Sequence, residues 1–169
     1  MTESINKATL TVPSVRVQTI SEIINDLETM FPVAVKVLMP EREHAPNFNW
    51  DTLKDVGNAD GSVWFPKFST PFEMGVSETG VSAWDIREGN LSWMTLAERL
   101  RFELYYYKQT DGMNLDTETV TLCAGSRVGL NHAWIPTVYK NRNGKGVCIG
   151  YAGIKDSIGN MGPRQVWRT

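Results

Sequence analysis

Histidine occurs only twice in this 169-residue chain, at His44 and His132, and cysteine only twice, at Cys123 and Cys148. So few histidines exclude a histidine-rich metal cluster, and neither cysteine has a partner at the short spacing of a zinc knuckle. No metal and no cofactor is expected. Both cysteines stand in apolar, strand-like segments, where a reduced thiol behaves as a small hydrophobe, so free and buried thiols are the expectation. No window approaches the ~20 consecutive apolar residues of a membrane span. The opening MTESINKATLTVPSV lacks the positive start and apolar stretch of a secretory signal, which leaves a cytoplasmic protein without membrane contact as the expectation. Glycine (14) and proline (8) are too sparse for a fibrous or disordered chain, and 41% apolar with 21% charged residues is ordinary for a packed domain. A single α+β domain spanning residues 1–169 is expected.

What is present begins with a helix. Ile20, Ile23, Ile24, Leu27, Met30 and Phe31 recur at helical spacing, with Glu22, Asp26 and Glu28 left for solvent. Thr19 followed three residues later by Glu22 is a capping box, in which each side chain satisfies a backbone N–H of the first turn, and Pro32 stops the helix. The β-branched stretches Val15 to Gln18 and Val33 to Met39 flank it as strands. A second helix is predicted from Ser92 or Thr95 to Gln109. Trp93, Leu96, Ala97, Leu100, Leu104 and Tyr107 share one face, and Glu98, Arg99, Arg101 and Lys108 fall mostly on a solvated one. Thr95 and Glu98 repeat the capping pattern, and Asp111-Gly112 supplies the stop. Tyr105, Tyr106 and Tyr107 are consecutive, about 100° apart, so at least one phenol is expected in solvent.

Between Pro40 and Gly89 turn-formers break every periodicity, yet Phe48, Trp50, Trp64, Phe65, Phe68, Phe72 and Trp84 make the stretch too aromatic for a linker. It reads as ordered irregular structure with one short strand around Ser62 to Phe65. Strands then follow at Thr117 to Cys123, Ala133 to Tyr139 and Gly146 to Ala152, with a short last one at Gln165 to Arg168. Asn143-Gly144 predicts a hairpin between the longer two, because both residues tolerate the positive φ of a tight turn. The architecture expected is two amphipathic helices packed on a mixed or mainly antiparallel sheet that ends in a hairpin meander.

Charge is the least ordinary property. Residues 124–169 hold seven Lys and Arg against one acidic residue, Asp156, whereas residues 1–123 hold ten against eighteen. Arg127, Lys140, Arg142, Lys145, Arg164 and Arg168, interleaved with Trp134 and Tyr139, are the candidate anion- or nucleic-acid-binding set. Cations neutralise phosphates while aromatic faces accept bases of any identity. Against this stands a plain alternative, in which the basic third complements the acidic remainder of the same molecule. Gly125-Ser126-Arg127-Val128-Gly129 would let backbone N–H groups approach an anion. It has neither a Walker ending nor a dinucleotide fingerprint, and an ordinary strand-to-strand loop is the simpler reading. Cys123 or Ser126 beside His132 would be the minimum for a nucleophilic hydrolase or transferase, although no family signature surrounds them. The functional expectation is therefore a non-enzymatic accessory or binding protein, of a kind phages and mobile elements encode, contacting nucleic acid, nucleotide or an acidic protein surface. A small hydrolase or transferase and a structural subunit of a homo-oligomer are the alternatives.

Overall fold

The computed structural model describes residues 9–12, 18–31, 35–37, 53–55, 70–73, 76, 79–88, 93–129, 133–143 and 146–166. Two helices, α1 (Ile20–Met30) and α2 (Leu96–Gln109), carry the capping boxes read from the sequence. Thr95 Oγ1 accepts from Glu98 N at 3.3 Å while Glu98 Oε2 accepts from Thr95 N at 2.6 Å. Asp111 (φ 54°) and Gly112 (φ 94°) enter the left-handed region where α2 ends, a conformation that short polar residues and glycine tolerate best.

Nine strands are described: β1 (Thr9–Val12), β2 (Lys36–Val37), β3 (Lys54–Asp55), β4 (Thr70–Glu73), β5 (Val120–Leu122), β6 (Ser126–Arg127), β7 (Trp134–Lys140), β8 (Val147–Gly153) and β9 (Met161–Pro163). Five of them form one mixed sheet in the order β2-β8-β7-β5-β9, antiparallel at its centre and parallel at both outer pairs. β1 pairs with β4 and β3 with β6 as small antiparallel ribbons. β3 and β4 lie in the stretch read as irregular; the strand expected at Ser62 to Phe65 and residues 15–17 of the one expected at Val15 to Gln18 fall outside the described residues, and Gln18 itself is not in a strand. β9 precedes the strand expected at Gln165 to Arg168; of that segment Gln165 forms an isolated bridge to Trp93, and residues 167–168 fall outside the described residues.

Pro136 in the central strand is tolerated for a local reason. Its carbonyl accepts from Cys123 N at 2.9 Å, so its missing N–H faces the same side, just beyond the last β5 ladder pair, Leu122 with Thr137. The β7–β8 hairpin runs in register from Trp134 opposite Gly153 to Lys140 opposite Val147. Its connection spans 141–146, closed by Asn141 N donating to Gly146 O at 2.9 Å, and Asn141 Oδ1 accepts from Asn143 N at 3.1 Å. Gly144 itself lies outside the described residues.

Strand alternation separates the two faces of the sheet. Val138, Val147, Ile149 and Cys123 join Ile23, Leu27 and Phe31 of α1 and Leu96, Leu100 and Leu104 of α2 in the main core. On the opposite face Leu122, Ile135, Ala152 and Met161 are covered by Ala83 and Ile86. A third cluster, Met94, Phe102, Leu115 and Val166, lies against the far side of α2. That third layer overturns one expectation: Glu98, Arg99 and Arg101 are buried and not solvated, because α2 is enclosed on both sides. None of Tyr105, Tyr106 and Tyr107 is fully exposed; each packs part of its ring, Tyr107 edge-on to Phe31 at 4.4 Å and Tyr106 to Phe102 at 6.4 Å. No helix among the described residues is long and apolar enough to cross a membrane.

Candidate functional site

The hairpin decides which members of the basic, aromatic set can meet. Trp134 and Tyr139 are five residues apart on one strand, about 17 Å at the rise of an antiparallel strand. Arg127 belongs with Trp134, since Val128 bridges to it. Lys140 and Arg142 belong with Tyr139. Lys155 follows the end of β8, and Lys145 and Arg168, like His132, lie outside the described residues. The set is thus divided between the two ends of the hairpin.

At the Tyr139 end a cleft of about 250 Å³ is lined by Tyr139, Lys140, Arg142, Asn160 and the segment Asp116 to Val120. Tyr139 and Lys140 are half-buried and Arg142 is exposed. Tyr139 faces Cys148 across the ladder. Burial and then Cys148 push the phenol up from its usual value, so it stays neutral and remains a donor or a stacking surface through the physiological range. Burial likewise raises the Cys148 thiol, with Lys36, its partner on β2, pulling the other way.

Asp116 contributes no free negative charge to this cleft. Its backbone adopts φ 53°, which turns the chain between α2 and β5 and aims the carboxylate inward. Arg99 Nη2 donates to Asp116 Oδ2 at 2.7 Å and Arg164 Nη2 donates to Oδ1, while Thr119 and Thr121 hydroxyls donate as well. Arg99 Nη1 donates to Glu103 Oε2 at 2.7 Å, and Glu103 Oε1 takes Asn114 Nδ2 and Leu115 N. Two guanidiniums and two carboxylates therefore neutralise one another inside the fold, with the Arg99, Glu103 and Asp116 side chains wholly buried. Burial alone would push Asp116 up, but Arg99, then Arg164, then the Thr121 hydroxyl outweigh it and hold the carboxyl at about 2.

This network withdraws Arg164 from the candidate anion-binding set, because the side chain is 2% exposed and committed to Asp116. Local periodicity did not signal it: Arg99 and Glu103 read as a solvated helix face, and Asp116 and Arg164 as loop charges. Arg127 is half-buried, its Nη1 donating to the carbonyls of Ala124 and Ser126 at 2.8 Å. Gly125 serves packing: a Cβ there would stand 2.4 Å from Trp93 O, so the glycine lets two backbones touch. Ser126 is buried, and its Oγ accepts from Leu96 N at 3.0 Å, completing the first turn of α2. Cys123 is buried in the main core and its thiol is pushed strongly upward by burial, the opposite of what a nucleophile needs. Among the described residues no group of three or more His, Cys, Asp or Glu side chains is gathered as a metal would require. No protein-family model, no curated protein and no solved structure matches this chain.

Proposed function

We propose that the chain is a binding module that receives the phosphate of a nucleotide or nucleic acid in the cleft of Tyr139, Lys140 and Arg142. The observation that carries the reading is the convergence of two cations and one half-buried phenol on one concave site. Of the two acidic lining residues Glu118 is exposed, and Asp116 is neutralised from within by Arg99 and Arg164. The local balance thus favours an anion. At about 250 Å³ the cleft lies just below the usual range for small-molecule pockets, a size suited to a phosphate with part of its nucleoside rather than a large cofactor. Asn160 adds an amide; its Nδ2 is turned to Glu118 O at 3.1 Å.

The test is salt dependence of oligonucleotide binding. Each phosphate neutralised releases condensed counterion, so replacing Lys140 and Arg142 together by Ala should reduce the log-log slope on a single strand by roughly 1.4 and leave the helix content unchanged. Absence of binding to any single-stranded or duplex oligonucleotide at low salt sinks this reading. Binding of an acidic polypeptide instead would put a protein partner in its place.

A further inference from the structure

The strongest surface feature that the cleft does not use is Trp84. Half of its side chain is in solvent (50% exposed), and Lys155 Nζ stands 5.3 Å from the indole centroid. The ammonium lies over one face of the indole, so a cation and an aromatic stand together here, and Arg142 and Tyr139 together line the cleft. Trp84 is held in place by its backbone, whose N–H donates to Ile154 O at 2.9 Å. Ile154 N donates in turn to Ala133 O, which fixes Lys155 at the Trp134 end of the hairpin. The chain then crosses the sheet from Lys155 to Asn160, where Asn160 O accepts from Val120 N and the residue lines the cleft. Asn160 is five steps along the chain from Lys155, a reach of at most about 18 Å. Ser157, Ile158 and Gly159 on that crossing are exposed, Ile158 by 53%. Two of the acidic groups on and beside the crossing are engaged by the protein, Asp85 Oδ2 accepting from Ser82 Oγ at 2.6 Å and Asp156 Oδ2 from Gly153 N at 2.8 Å, while Glu118 stays exposed beside Asn160 at the cleft end.

An exposed crossing with a cation and an aromatic at each end, and its one carboxylate, Asp156, hydrogen-bonded to the backbone, suits a linear polyanion whose units also carry flat faces. We infer that the ligand is a single nucleic-acid strand that runs from the cleft along the 155–160 crossing to Trp84 and Lys155. There a base stacks on the exposed indole and a phosphate meets the ammonium. The inference rests on the reading of the cleft and goes beyond it, since a mononucleotide would occupy the cleft alone.

The experiment uses the full chain and a labelled oligothymidylate of about 12 nucleotides, a length within the site sizes usual for single-strand binding. Trp84→Ala is expected to weaken binding by roughly 5- to 150-fold, the equivalent of one lost base stack, and Trp84→Phe to restore most of it. Lys155→Ala should lower the salt slope by about 0.7. If Trp84→Ala binds within about twofold of the parent while Arg142→Ala weakens binding, the track is overturned and the cleft reading stands. If the parent protein does not bind the strand at low salt, both fall. Trp84 is a surface residue, so an unchanged circular dichroism spectrum of the Ala variant is expected and keeps the comparison valid.

Discussion

Asp116 shows how much one residue can organise. Its left-handed backbone and buried carboxylate gather Arg99 from α2 and Arg164 from beyond β9, tying the central helix to the edge of the sheet. Removing one partner of a buried ion pair leaves charges uncompensated in a medium that solvates them poorly. Asp116→Asn is therefore expected to destabilise the fold by about 3–5 kcal/mol, measurable by urea titration. The same carboxylate sets a pH dependence. Its value falls from the ordinary 3.8 to about 2 on folding, so its stabilisation is fully present above the unfolded value and is lost as pH drops from about 4 through 2. The span corresponds to about 2 kcal/mol. In the Asp116→Asn variant that contribution to the acid limb of the stability profile should vanish.

At the scale of the element, α2 is the least ordinary component. An amphipathic helix on a sheet needs one apolar stripe, but this one is enclosed on both sides and balances its buried charges internally. Its N-terminus is satisfied from two directions: Thr95 takes Glu98 N, and Ser126 from the glycine loop takes Leu96 N. Each cap removes an N–H that would otherwise be buried without a partner. Thr95→Ala and Ser126→Ala should each cost about 1 kcal/mol. If chemical denaturation finds Ser126→Ala neutral, the loop contributes nothing to the helix.

For the whole molecule, the mixed sheet places one thiol in the main core and the other beside Tyr139, both free and buried. Alkylation of Cys123 and Cys148 should be slow in the native protein and fast in denaturant, because the thiolate is the reactive form and burial disfavours it. Rapid native labelling of Cys123 would contradict the packing of α2 on β5 and β7. The sheet also sets the distance between the two ends of the hairpin, and so decides that Arg127 and Trp134 cannot share a phosphate with Arg142.

Local chemistry was legible in the sequence wherever the cause of a structure is local. Both capping boxes, both helix stops and the antiparallel β7–β8 pair follow from residues within a few positions of one another, where the backbone either satisfies its N–H groups or does not. The α+β class follows from the same spacing. Tertiary structure alone decided the rest. Arg99 meets Asp116 across 17 positions and Arg164 meets it across 48, and no periodicity records a partner so far away. That pairing neutralises Arg99 on a helix face that the third apolar layer buries, and it removes Arg164 from the surface. The same holds for the candidate site: the basic excess of residues 124–169 is a fact of composition, but which cations converge depends on strand register. Register placed Tyr139, Lys140 and Arg142 at one end of a strand and Trp134 at the other, because a strand rises about 3.4 Å per residue and does not fold back.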